Sequence, residues 1–362
     1  MFTESLNHVW SRAVVEELVR CGCTRWLLSP GSRNTPLVLA ADANERAECE
    51  VLIDERGAAF KALGWASATG RAAVLVCTSG TAVANYLPAV VEASRSATPL
   101  IVLSADRPVE LREAGANQTI DQVGIFSSYT RWSFDLAAPR GDVPLASVLT
   151  AVDQLAYRAH RWPAGPVQLN CQFAEPLAPE PPAPGPPSPA AAAPGTGERL
   201  LRWQASGRPW TRYAATASVP ARADIDRAAS LLQEGKRGVI IAGRLPAGSD
   251  AAPVLDLARR LRMPLLADIA SGLRFGAPSA DAVLSHHDHF LKHEALAAAN
   301  RPDVVLHLGG PLVSSALMRF VEQAGADYLL VDRTPWRQDP DHVVTLRLEM
   351  DPLRFCADVP VA

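Results

Sequence analysis

Residues Ala73-Val74-Leu75-Val76-Cys77 form an unbroken apolar run that ends at once in Thr78-Ser79-Gly80-Thr81. A strand that is apolar on both faces must be covered on both faces, which is the condition of a parallel sheet flanked by helices. The pattern recurs. Residues 26–28, 99–104 and 165–170 read as strands. Helical spacing separates them at 6–19 (Leu6, Val9, Ala13, Val14, Leu18), at 37–41, beyond Thr81 through Val83, Tyr86, Leu87, Val90 and Val91, and at 145–159. Strand alternating with helix predicts a doubly wound parallel sheet to about residue 170. Polar residues collect just past four of the strand ends, where ligands bind in such sheets.

A second unit of the same kind follows. Residues 238–243, 264–268, 304–310 and 327–332 read as strands, with helices at 225–232, at 254–261 and through Leu317 and Phe320. Between the units, residues 174–198 are dominated by Pro, Ala and Gly, a linker composition. The expected organisation is α/β: two doubly wound parallel-sheet domains, 1–178 and 223–352, joined by a linker over 179–222. The second unit has no G-x-G-x-x-G after a strand, so its fold alone does not establish a nucleotide ligand.

Composition narrows the functional classes. The formal net charge is only -3, which gives no reason to expect nucleic acid as a partner. No apolar run has the length of a membrane span, and the first residues lack a basic start followed by an apolar core. A cytoplasmic protein is the default. The six cysteines lack the spacing of a zinc site and read as reduced packing residues. Lysine is limited to Lys61, Lys236 and Lys292, none in a motif, which weighs against a Schiff base.

Residues 51–60 carry the sharpest candidate. Val51-Leu52-Ile53 reads as a short buried strand, Asp54 as a helix cap, and Glu55 as a first-turn acid. Ala58, Ala59, Phe60, Leu63 and Ala66 would form the inner face of that helix. Taken alone, Glu55 fits a complement to the helix dipole as well as a ligand-facing carboxylate. In the loop 29–36, Ser32 and Arg33 precede a helix begun by Thr35-Pro36; an ordinary polar turn and an anion site are both open. Thr78, Ser79 and Gly80 allow close backbone approach to a ligand. His289 and His293, spaced i, i+4, invite a metal reading, but the order is not H-E-x-x-H and a polar turn fits better.

Four motifs in order, Ser29-Pro-Gly-Ser-Arg-Asn-Thr-Pro36, Ile53-Asp-Glu-Arg56, Thr78-Ser-Gly-Thr-Ala-Val-Ala-Asn85, and Asp106-Arg-Pro108 with Gly115-Ala-Asn-Gln-Thr119, resemble one family. It is that of the thiamine-diphosphate-dependent synthases of menaquinone biosynthesis, which make 2-succinyl-5-enolpyruvyl-6-hydroxy-3-cyclohexene-1-carboxylate. Residues 165–170 and 173–177 fit it as well, and the resemblance weakens after about Ala223.

The resemblance implies a transferase that decarboxylates 2-oxoglutarate and adds the four-carbon carbanion to isochorismate. It implies thiamine diphosphate with Mg²⁺ or Mn²⁺, and a homodimer or homotetramer whose chains share each active site. Glu55 would hydrogen-bond N1′ of the aminopyrimidine and would be largely desolvated, with a raised pKa. Thr78, Ser79 and Gly80 would line the pyrimidine end. Ser32, Arg33, Arg107, Asn117 and Gln118 would bind the substrate carboxylates. Of the family's three domains this chain resembles the pyrimidine-binding and middle ones. The Gly-Asp…Asn signature of the third, where the metal ligands are expected, has no match, so the chain is expected to be inactive alone and no metal ligand is assigned. Two other readings stay open: a split subunit that needs a partner carrying the metal domain, and a related 2-oxo-acid lyase. After Gly309-Gly-Pro-Leu312 stands Val313, where some members carry a basic pair.

Overall fold

A computed structural model describes residues 5–179, 197–274 and 283–361. The chain divides into two compact units, Met1–Ala215 and Thr216–Ala362.

The first unit holds β1 (Arg25–Leu28), β2 (Glu48–Val51), β3 (Ala73–Cys77), β4 (Leu100–Asp106), β5 (Trp132–Leu136) and β6 (Pro166–Gln172). They pair in the order β2-β1-β3-β4-β6-β5, all parallel. Its helices are α1 (Leu6–Arg20), α2 (Thr35–Asp42), α3 (Glu55–Thr69), α4 (Thr81–Ala84), α5 (Leu87–Arg95), α6 (Leu145–His160) and α7 (Glu198–Ala205). Side chains alternate across the sheet. Trp26, Leu28, Val74, Val76, Ile101 and Leu103 join one core with residues of α1, α2 and α6. Leu27, Ala73, Leu75, Leu100 and Val102 join a second core with residues of α3, α4 and α5. The expected double winding is present, because strands apolar on both faces need a helical layer on each side.

The second unit repeats the plan with β7 (Gly238–Ala242), β8 (Leu265–Ala267), β9 (Val304–Leu308), β10 (Asp327–Asp332) and β11 (Leu346–Glu349). The order is β11-β10-β9-β7-β8, again all parallel. Around it lie α8 (Arg222–Glu234), α9 (Ala252–Leu261), α10 (His287–Phe290), α11 (Glu294–Ala299), α12 (Ser315–Glu322) and α13 (Pro352–Asp358).

Several expectations need correction. The strand before Glu55 is Glu48–Val51, three residues upstream of the expected one, and it is an edge strand rather than a buried one. Val51 is 63% exposed and Ile53 93% exposed. An edge strand is covered on fewer sides, so apolar residues there need not be buried. On α3 the inner face is Ala58, Ala59, Ala62 and Ala66, and Phe60 points outward. The helix expected from Thr81 through Val91 is broken at Asn85-Tyr86, ahead of Pro88. The linker expected over 179–222 lies partly in 180–196, outside the described residues. Within it, residues 198–205 are not a linker: they form α7, which buries Leu200 and Trp203 in the first core. The second unit also runs past 352, since Phe355 and Cys356 of α13 are core residues.

All six cysteines are free thiols, as expected. Burial pushes the thiols of Cys23 and Cys356 up to about 12, which keeps them protonated and unreactive. The histidine pair does not share a helix face, because α10 ends at Phe290 and His293 caps the next helix.

Candidate functional site

Because β2, β1, β3 and β4 are consecutive neighbours, the four motifs leave the sheet side by side at one carboxyl edge. Adjacent strands are about 4.8 Å apart, so the four ends span about 15 Å. The chain order reverses between β1 and β3, the switch point at which open α/β sheets bind ligands.

Glu55 opens α3 after β2. Asp54 caps that helix by accepting from the Gly57 N–H at 2.9 Å, as the sequence predicts. Glu55 is only half-buried, so the desolvation expected of it is not provided by the described residues. Near it in the chain, Val51, Ile53 and Phe60 are exposed.

After β1, Asn34 folds the loop back on itself. Its side chain accepts from the Gly31 N–H at 2.8 Å and donates to the Ser29 carbonyl at 3.0 Å. Ser32 is left exposed at the tip. Arg33 is buried and reaches the end of β6, donating to the Phe173 carbonyl at 2.9 Å and meeting Glu175 at 3.3 Å. Its Nε is buried without a partner.

The ends of β3 and β4 interlock. Gly80 has φ +87° and ψ −145°, a conformation open to glycine, and starts α4. A Cβ there would meet the Gln118 Cγ at 3.0 Å. Gln118 donates to the Ser79 carbonyl at 3.1 Å. Arg107 donates to the Ser79 hydroxyl and, at 2.7 Å, to the Gln118 carbonyl. Burial and then the nearby Arg33 guanidinium lower the Arg107 pKa, so two cations face this edge together. Asn117 is exposed on the same loop. The structure thus joins Ser79, Gly80, Arg107 and Gln118 in one contact set and sets Thr78 against Gly31. Ser32 and Asn117 stand at the rim, and Glu55 stands at the sheet's edge.

Beneath the 107–122 loop lies a buried polar network. The Asn170 amide donates to Asp106 at 2.9 Å and to Asp135 at 2.8 Å, and its oxygen accepts from Ser104 at 2.9 Å and Gln122 at 2.7 Å. Gln122 also donates to the Ala105 carbonyl at 2.9 Å and accepts from the Gly80 N–H at 3.1 Å. Arg112 grips Asp135 with two bonds of 2.9 and 3.0 Å and meets Asp106 at 3.0 Å. Burial pushes the Asp106 carboxyl up, against bonds from Asn170 and Arg112. Burial also acts to raise Asp135, but its bonds from Arg112, Asn170 and Gln172 hold it below the usual range. The pairing of these residues escaped the sequence reading, although a signal exists. Gln168, Asn170 and Gln172 recur every second residue in a fully buried strand, and buried polar groups need partners.

One group of side chains among the described residues has metal-ligand spacing: Glu17, Cys21 and Asp153. It lies on α1 and α6, not at the strand ends, and both carboxylates already accept N–H bonds from Trp203, Trp210 and Thr211. Among the described residues, no helix is long and apolar enough to cross a membrane.

Comparisons with known proteins agree with this architecture. Residues 9–125 match the family model "Thiamine pyrophosphate enzyme, N-terminal TPP binding domain". Residues 196–362 match "Middle domain of thiamine pyrophosphate". The chain is 47% identical over 358 residues to the 2-succinyl-5-enolpyruvyl-6-hydroxy-3-cyclohexene-1-carboxylate synthase of Rubrobacter xylanophilus, covering 98% of this chain and 60% of that one. It is 46% identical over 357 residues to the synthase of the same name from Chlorobaculum tepidum, covering 97% and 58%. The relative from Chlorobium phaeobacteroides is 42% identical over 360 residues, covering 98% and 59%. The chain therefore spans about three-fifths of the length of the curated relatives it matches.

Proposed function

The chain belongs to the thiamine pyrophosphate enzymes, carrying the N-terminal and middle domains of that family, and on this premise we propose that it serves the synthase reaction its relatives are named for. That reaction is the decarboxylation of 2-oxoglutarate and the addition of its remaining four carbons to isochorismate, in menaquinone biosynthesis. The observation that carries the proposal is the convergence of all four motifs at adjacent strand ends around the β1/β3 switch point.

The proposed roles follow from chemistry and position. Bound thiamine diphosphate supplies the carbon chemistry, and the protein supplies position and charge. Glu55 would receive the aminopyrimidine N1′, exchanging a proton with it. The backbone at Thr78, Ser79 and Gly80 would line the pyrimidine end. Arg33 and Arg107 are suited to multiply anionic substrates, since two guanidinium groups share one edge and Arg33 Nε is unpartnered. Ser32, Asn117 and Gln118 would complete the carboxylate contacts. Mg²⁺ or Mn²⁺ would be held by residues other than those described at this edge.

Glu55 is only half-buried and Val51, Ile53 and Phe60, near it in the chain, are exposed, so a second copy is proposed to close over it and supply the missing desolvation. A homodimer or a homotetramer and a cytoplasmic location belong to the same proposal. The test is an assay of the native gene product with thiamine diphosphate and Mg²⁺. It should release CO₂ from 2-oxoglutarate in an isochorismate-dependent manner. Turnover of another 2-oxo acid in preference, or none that depends on thiamine diphosphate, would overturn it.

A further inference from the structure

The first unit holds a buried acid pair that the proposed chemistry does not use. Glu17 on α1 and Asp153 on α6 are both buried, and with the Cys21 thiol they gather ligand-type atoms within 4.8 Å. Both carboxylates are bound to the segment that follows α7. Glu17 accepts from the Trp203 indole N–H at 2.6 Å and from the Trp210 backbone N–H. Asp153 accepts from the Thr211 N–H at 2.7 Å and from the Cys21 thiol at 3.7 Å. Arg20 lies 4.3 Å over the Trp203 ring and donates to the carbonyls of Trp203, at 2.5 Å, and Arg208, at 3.1 Å. Residues 203–211 thus form a strap fastened across α1 and α6.

The surrounding charges do not neutralise the pair. Arg20 is committed to Glu16 at 2.6 Å and to the strap carbonyls, and Arg46 takes the same Glu16 at 2.5 Å. From α6, Tyr157 stacks on Tyr213 at 4.4 Å. Burial, with Asp153 and Glu17 close by, pushes the Cys21 thiol up, so it stays neutral. Neither carboxylate forms an ion pair among the described residues. Two buried carboxylates at this separation cannot both ionise cheaply. Burial and then Asp153 push Glu17 up to about 8.

We propose that Glu17 keeps its proton beside Asp153 at neutral pH and acts as a proton-operated latch, which holds the 203–211 strap against α1 and α6 and loosens as pH rises. With the strap closed, Glu17 keeps its proton to about pH 8. With the strap open, an exposed carboxyl loses it in the ordinary carboxylate range. Between those limits the closed form carries one more proton than the open form. Closure then weakens up to tenfold per pH unit and levels off above about pH 8.

Hydrogen exchange read by mass spectrometry on the whole protein tests this, with protection factors for 203–211 compared at pH 6.5, 8 and 9.5. Strand β10, in the other unit, serves as the internal reference. Strap protection relative to β10 should fall about fifteenfold from pH 6.5 to 8, about twofold more by pH 9.5, and then level off. Glu17→Gln removes the titrating group and should flatten the profile. Asp153→Asn leaves Glu17 buried but facing a neutral donor and should make the fall shallower, which keeps the test available if Glu17→Gln does not fold. A pH-independent wild type overturns the latch, and so does an undiminished fall in either folded variant.

Discussion

Gly31 stands directly against Thr78: a Cβ on Gly31 would lie 2.6 Å from the Thr78 Cβ and 2.9 Å from its Oγ1. The contact joins the ends of β1 and β3, where the strand order reverses. Gly31→Ala therefore forces two candidate-site loops apart. Rotating Thr78 cannot relieve a clash with its own Cβ. The expected loss is about 1–3 kcal/mol of stability, read as a lower urea midpoint. Adding Thr78→Gly should recover part of it, whereas adding Thr78→Ala should recover little. Equal rescue by both would show that the overlap lies elsewhere.

Glu55 is half-exposed in the first turn of α3, while the cap of that helix comes from Asp54. Glu55→Gln is expected to leave stability within about 0.5 kcal/mol. If the proposed role is right, turnover of the native enzyme falls at least about 100-fold. A variant that binds thiamine diphosphate and keeps wild-type turnover would remove Glu55 from that role.

Asn170 ties Ser104, Asp106, Gln122 and Asp135 together through both ends of its amide. Asn170→Leu keeps the bulk but leaves those buried groups without their shared partner. A loss of about 3 kcal/mol is expected, with faster exchange in the 107–122 loop than in β1. A change below about 1 kcal/mol would mean that the network repacks without it.

His307 is buried in the second unit. Its Nε2 faces the Gly310 carbonyl at 3.1 Å, an acceptor only, so Nε2 carries the proton and Nδ1 accepts from the Tyr328 hydroxyl at 3.0 Å. Burial lowers its pKa to about 4, from an ordinary 6.5. Between those values the unfolded chain binds a proton that the folded one does not. Stability should fall as pH drops through that window, by at most roughly 1.4 kcal/mol per unit. Urea titrations of the second unit at pH 6.5, 5.5 and 4.5 read the slope, and His307→Gln should remove this contribution. An unchanged slope in the folded variant would assign the acid sensitivity to other groups.

Much of this was legible in the sequence, because unbroken apolar runs such as Ala73–Cys77 announce strands covered on both faces. The Asp54 cap and the first-turn place of Glu55 were equally plain. What failed was mostly context. Val51 and Ile53 look like core residues until the sheet order puts β2 at an edge, and order is a long-range property. Strand β5 was missed because it carries no unbroken apolar run: Asp135, set between Phe134 and Leu136, is partnered by Arg112 and Asn170. Helix α7 was hidden in a Pro- and Ala-rich stretch whose two anchors, Leu200 and Trp203, carry too little periodicity to stand out. Arg33 was expected to face a ligand, yet its Nη1 bonds a carbonyl 140 residues away, which no local pattern encodes.

The second unit has the same reversal of strand order as the first, between β7 and β9, but it treats that place differently. A Cβ on Gly243 would come 2.1 Å from the Gly310 carbonyl oxygen, and the Gly310 N–H donates to the Arg244 carbonyl at 2.9 Å. Here main chain is stitched to main chain. Exchanging side chains cannot reopen such a seam; a nucleotide pocket at this end would require an insertion that pries the two turns apart. The first unit keeps a side chain, Thr78, at the equivalent joint, so its crevice can be retuned by point substitution.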